Sequence, residues 1–164
     1  MASLLDKPLY FYSIPAVWFS AFYPGSLRFM KINNSVGYNN VSPRAQNLQG
    51  RVTASNSQTL AQMEGAHLNG NENMPIWFAA IIVGSIAGLD NRYLNMMSLT
   101  YFLVLGADEG LTRYSVATRL VYNTIYIHFN GIGKGWVRTA VFFFGLSHPL
   151  RILFKAAGSI ANKA

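Results

Sequence analysis

The sequence predicts an all-α membrane protein, a four-helix transmembrane bundle with a cluster of polar side chains buried at one end. Three observations predict it. Hydrophobic residues make up 51% of the chain and charged residues only 12%, against about 25% charged in soluble domains. The 164 residues suit one domain and have room for four spans of ~20 apolar residues each. The net charge is +7, yet the basic residues form no run. Arg28, Lys31, Arg44, Arg51, Lys134, Arg138, Arg151 and Lys155 sit at the ends of apolar segments. That placement fits membrane-edge anchoring and an anionic ligand, with membrane lipids as partners and no nucleic acid.

The first span is expected over 8–30. It is rich in Tyr, Phe, Trp and Leu, and Pro15 and Pro24 kink it, as membrane helices tolerate. The stretch 33–57 holds six asparagines and no apolar run, and reads as an exposed loop. The second span covers 60–89. Residues 76–89 are plainly intramembrane, whereas 64–73 are polar and can be helical only if packed on protein and not lipid.

The third segment, 93–129, is interrupted near 107–113. Its first part, 93–106, is too short to span alone, and Asp108 and Glu109 follow. It reads as one long interrupted helix, with a re-entrant piece plus a short span as the rival. A glycine loop over 130–135 leads into the fourth span, 136–155, and the small polar tail beyond it is expected to fray. The basic loops place the first and third connections in the cytosol.

The absence of cysteine excludes disulfide frameworks, cysteine metal sites and thiol nucleophiles. His67, His128 and His148 lack the spacing of a metal site, so no metal is expected.

Two polar stripes remain. Asn69, Glu72 and Asn73 share one helix face at i, i+3 and i+4. Arg119, Tyr122, Asn123 and Tyr126 share another at i, i+3, i+4 and i+7. Antiparallel packing puts both stripes in one leaflet, where Arg138 closes the same end. An ionised Glu in hydrocarbon costs at least ~2.5 kcal/mol without a partner, and Arg119 is the natural partner for Glu72. Such a pair marks a ligand site by default. The plainer alternative is that these residues only hold helices together. His67 and Asn71 share a different face, at i and i+4, and read as packing or interfacial residues.

These residues carry a resemblance. Glu-Gly-Ala-His-Leu-Asn-Gly-Asn-Glu-Asn-Met-Pro (64–75), Arg-Leu-Val-Tyr-Asn-Thr-Ile-Tyr (119–126) and Arg-Thr (138–139) resemble the motifs of the MAPEG superfamily, the membrane-associated proteins in eicosanoid and glutathione metabolism. The chain looks most like its fungal branch and is similar to microsomal glutathione transferases, over roughly residues 8–155. The resemblance implies a homotrimer of four-helix subunits with glutathione bound between neighbours near the cytosolic face. It implies transferase, peroxidase or isomerase chemistry on a lipophilic small molecule, and residence in the endoplasmic reticulum or, alternatively, the mitochondrial outer membrane.

Carried over residue by residue, Arg28, Asn69, Glu72, Arg119, Tyr122, Tyr126 and Arg138 would hold glutathione. Arg138 and Tyr126 would be catalytic, since a cation near the sulfur favours the thiolate. An anionic peptide with two carboxylates and one amine complements Arg, Tyr and Asn around a single Glu. The sequence departs from mammalian members at Gly65 and Leu68, where arginines are found. It also departs in the distance from Pro75 to Arg119, whose excess, 102–115, is expected at the end away from the site. A glutathione-independent isomerase or cyclase using the same pocket, or a lipid-binding scaffold, are the alternative readings.

Overall fold

A computed structural model describes residues 4–43, 48, 50–104, 116–128 and 132–163; it describes no side chain over 102–121 or 132–135. Five α-helices form there: α1 (Ser13–Val36), α2 (Ala54–Ile86), α3 (Asn91–Phe102), α4 (Thr118–His128) and α5 (Ile132–Ala161). Two short 3-10 turns, Leu4–Asp6 and Leu9–Tyr12, precede α1. One helix among the described residues is long and apolar enough to cross a membrane, at Trp136–Ala161. The aromatic and asparagine content of α1 and the polar first half of α2 keep those two less apolar.

The helices extend further than the apolar pattern indicates. The first span was expected from residue 8, but the helix proper starts at Ser13, after a 3-10 turn, and runs to Val36. Gly37 stops it with φ +77°, a conformation that costs glycine little. α2 begins at Ala54, well before residue 60. The Thr53 side chain caps it by accepting from the Asn56 amide at 3.3 Å, satisfying one of the orphan donors of the first turn. The expected exposed loop is therefore helical at both ends.

At the other end of the chain the expected fraying is also absent. α5 continues to Ala161, and both Ser159 Oγ and Lys163 Nζ donate to the Ala87 carbonyl, at 3.2 and 3.0 Å. They satisfy the end of α2 and so fix the tail. Gly133 and Gly135 lie inside the first turn of α5 and not in a loop. The first N–H groups of a helix need no intrahelical acceptor.

α2 is the centre. α1 runs antiparallel to it, with Ser13 level with Trp77, Ala21 with Gly70, and Arg28 with Glu64. α3 and α4 also run against it, Leu94 level with Gly84 and Tyr126 with Gly65. α5 runs parallel to α2, with Ile152 against Gly84.

Between α3 and α4 the chain leaves through Leu103–Val104 (β1) and returns through Val116–Ala117 (β2). The two strands pair antiparallel, Leu103 with Ala117 and Val104 with Val116. The 12 and 11 residues of α3 and α4 together rise about 34 Å, enough to cross a ~30 Å hydrocarbon layer. The excess chain thus departs between α3 and α4. It was expected away from the polar cluster, but β2 joins α4 little more than a turn before Tyr122. Residues 105–115 themselves, including Asp108 and Glu109, lie outside the described residues.

Lipid is as apolar as leucine, so helix association in a membrane rests on close packing and interhelical hydrogen bonds. Both occur. Tyr10, Val17, Trp77, Ala80, Ile81, Leu94, Tyr101 and Ile152 form one buried cluster. Trp77 stacks on Tyr101 with ring centroids 4.0 Å apart and donates to Ser13 Oγ at 3.0 Å. At Gly70 an added Cβ would lie 2.7 Å from Ala21 Cα, so α1 and α2 meet backbone to backbone.

Candidate functional site

The polar end is built where the N-terminal half of α2, the last turns of α4 and the start of α5 converge. α4 presents Tyr122 and Tyr126, one turn apart, with ring centroids separated by 5.7 Å. From α5 the Arg138 guanidinium lies over the Tyr126 ring, 4.4 Å from its centroid. A flat cation on a ring face is a favourable arrangement, strengthened as water is excluded. Asn69 approaches from α2. Asn69, Tyr122, Tyr126, Arg138, Thr139 and Phe142 together line a half-open cavity of about 230 Å³.

Tyr126 takes its place because α2 has no side chain beneath it. A Cβ on Gly65 would lie 2.5 Å from the Tyr126 phenol oxygen and 2.8–2.9 Å from ring carbons. The glycine that departs from the mammalian pattern is thus the seat of the Tyr126 ring.

The other expected residues fall differently. Arg28 is not on the cavity wall. It pairs with Glu64 at 3.3 Å, its side chain 16% exposed and that of Glu64 44% exposed. Glu72 is exposed on α2, makes no ion pair among the described residues, and is not on the wall either. Arg119 belongs to the first turn of α4, but its side chain lies outside the described residues, so the expected pair with Glu72 does too.

The helical stripes separate by role. Asn123 turns from Tyr122 and Tyr126 toward α1 and donates to the Ser20 carbonyl at 2.7 Å while 1% exposed. Asn73 Nδ2 donates to the Asn69 carbonyl at 2.8 Å. His67 acts as expected of a packing residue. Its Nδ1 lies 2.8 Å from the Ala21 carbonyl, which can only accept, so Nδ1 carries the proton. Nε2 then accepts from Asn71 Nδ2 at 3.1 Å.

Sequence reasoning missed Thr139 and Phe142 as wall residues. Their signal was present: both follow Arg138 at i+1 and i+4 on α5. Glu64 was also missed as the partner of Arg28, since that pairing depends on how α1 and α2 align.

A match to the MAPEG family covers residues 14–105, more than half of the chain. The chain belongs to the MAPEG family. Among curated proteins and solved structures, none matches it. MAPEG proteins are membrane-associated, and this chain is accordingly a membrane-associated member with an apolar α5. The matched region holds α1, α2 and α3, and with them Arg28, Asn69 and Glu72. Tyr122, Tyr126 and Arg138 lie beyond it and join the MAPEG core through the cavity they share with Asn69.

Proposed function

We propose that this MAPEG protein is a glutathione-dependent transferase or peroxidase of the endoplasmic reticulum membrane, acting on lipophilic electrophiles. The observation that carries the reading is Arg138 poised over Tyr126 on the wall of a cavity that Asn69 and Tyr122 complete. Glutathione, the co-substrate, would supply the nucleophilic sulfur. Arg138 is suited to hold negative charge at that sulfur and keep the thiol proton off, in a site partly closed to water. The Tyr126 hydroxyl can donate to the same atom. Asn69 and Tyr122 offer donors and acceptors to the peptide backbone, and Arg119, one turn before Tyr122, would meet a carboxylate.

Four spans and a homotrimer belong to this reading: α1, α2, α3 with α4, and α5. An exposed glutamate such as Glu72 on a membrane helix is costly unless something polar covers it. A neighbouring subunit whose bound peptide offers an ammonium group would do so, placing the site between copies.

A second reading is favoured by two observations. Arg28 is neutralised by Glu64, and the Gly65 position is filled by a phenol and carries no cation. A cavity less positive than expected suits a glutathione-independent isomerase or cyclase of a lipophilic substrate, with Tyr126 and Arg138 as acid and electrostatic stabiliser.

Titrating glutathione into detergent-purified protein distinguishes the two. Heat of binding together with growth of the thiolate ultraviolet band supports the first. Neither signal, in protein that stays folded, overturns it in favour of the second.

A further inference from the structure

At the opposite end of the molecule from Arg138 lies a second, larger cavity, about 290 Å³ in volume. Leu5, Leu9, Ala16 and Leu99 give it an apolar wall, and Asn95 and Ser98 of α3 also line it. Tyr10, another lining residue, donates to Ser85 Oγ at 3.1 Å. Asn69 and Ser85 are separated by about 24 Å of α2 axis, so the two cavities are distinct.

Its polar groups are unusual. Asn95 is 3% and Ser98 6% exposed, and they stand at i and i+3, on one face of α3. Both hydrogens of the Asn95 amide are committed: Nδ2 donates to the Leu5 carbonyl at 2.6 Å and to the Lys7 carbonyl at 2.7 Å. This fixes the orientation of the amide and leaves Oδ1 as an acceptor with no partner among the described residues. Ser98 Oγ is in the same condition. Buried polar atoms are normally satisfied, and two unsatisfied neighbours on one cavity wall call for an explanation.

We infer that this cavity binds a single-chain lipophile ending in a hydroxyl group. Both oxygens are almost wholly shielded without a ligand; with a small shift of the segment that covers them, one hydroxyl would serve both, donating to Asn95 Oδ1 and accepting from Ser98 Oγ–H. A carboxylate does not fit, because it would set negative charge against a fixed acceptor, and no charged side chain is among the described lining residues. The volume lies at the lower end of small-molecule pockets, about 300–1,000 Å³. It has room for one chain. This inference is independent of the function proposed for the first cavity.

The test is photolabelling of the full-length protein in detergent with a medium-chain fatty alcohol carrying a diazirine at its chain end, followed by peptide mapping. Label is expected within 5–16 and 95–99. Dodecanol should compete for it about tenfold better than dodecane or dodecanoate, one hydrogen-bonded group being worth about that factor. Ser98→Ala should lower labelling several-fold, and Ala16→Trp, which fills the cavity, should abolish it. Neither side chain makes a hydrogen bond among the described residues, so both variants are expected to fold, and thermal melts check this. Equal competition by dodecane, label that survives Ala16→Trp, or label spread along the lipid-facing helices overturns the inference. So does absence of label with the two segments cross-linked to a second copy, since a neighbouring subunit then fills the space.

Discussion

The phenol oxygen of Tyr126 stands 2.5 Å from the point that a Cβ on Gly65 would occupy. One missing methyl group on α2 therefore sets the depth at which a cavity-lining ring sits on α4, the ring over which the Arg138 guanidinium lies.

The sign of one substitution follows. In the native protein Gly65→Ala drives a methyl into a rigid ring and should destabilise by about 1–3 kcal/mol, as overpacking does. In a Tyr126→Ala background the same change meets open space and gains helix propensity, about 0.5–1 kcal/mol. Unfolding measurements on the four proteins of this double-mutant cycle check the reversal. Equal costs in both backgrounds would show that the ring is not seated on Gly65.

Gly70 differs in kind. There an added Cβ meets the Cα and Cβ of Ala21, both at 2.7 Å, and backbone cannot swing aside. Gly70→Ala should push α1 from α2, lengthen the contact from His67 Nδ1 to the Ala21 carbonyl, and cost about 3 kcal/mol or slightly more, the upper end of overpacking effects. Gly70→Ala melting within a degree of the native protein in detergent would contradict this crossing.

Much of this architecture is legible in the sequence. The apolar windows and the i, i+3, i+4 spacing of polar residues report local helix faces, and the family motifs carry the rest. Asn69, Tyr122, Tyr126 and Arg138 were legible as one cluster because helix periodicity and antiparallel order alone bring them level. What was not legible depends on register between helices. The pairing of Arg28 with Glu64 requires Ala21 to meet Gly70, and nothing in either helix alone fixes that alignment. Asn123 shares a stripe with Tyr122 by spacing, yet the nearness of α1 turns it to Ser20. The continuation of α5 past Lys155 was hidden because the carbonyl that holds the tail belongs to Ala87, far away in sequence.

The Arg28–Glu64 pair predicts a small stability effect and a larger electrostatic one. Glu64 is 44% exposed, so breaking the pair by Glu64→Gln should cost under about 1 kcal/mol. It would, however, release the Arg28 charge near the polar end. Affinity for any anionic ligand of the cavity should rise several-fold and fall more steeply with added salt. Calorimetric titrations at two ionic strengths read this directly. Unchanged affinity and salt dependence would mean that Arg28 is too distant to act on the cavity even when unpaired.

Arg138 separates an enzyme from a binding scaffold. Thiolate stabilisation needs a fixed cation at the sulfur, and here the cation is held in place by its contact with the Tyr126 ring, 4.4 Å away. If the proposed chemistry is right, Arg138→Ala should lower turnover of a generic electrophile by about 10²-fold or more, the usual cost of removing a preorganised charge-stabilising group. Glutathione affinity should change less, because Asn69 and Tyr122 remain on the wall. Arg138→Lys keeps the charge but not the flat stacked guanidinium, so its turnover should fall between the two. Tyr126→Phe keeps the platform and removes only the hydroxyl. It should preserve the position of Arg138 while lowering the thiolate absorbance that develops on binding. If Arg138 is instead an anchor at the membrane edge, Arg138→Ala and Arg138→Lys should differ only slightly in melting temperature and leave turnover and thiolate absorbance where they were. That outcome would remove Arg138 from the chemistry and with it the main support for glutathione activation in this cavity.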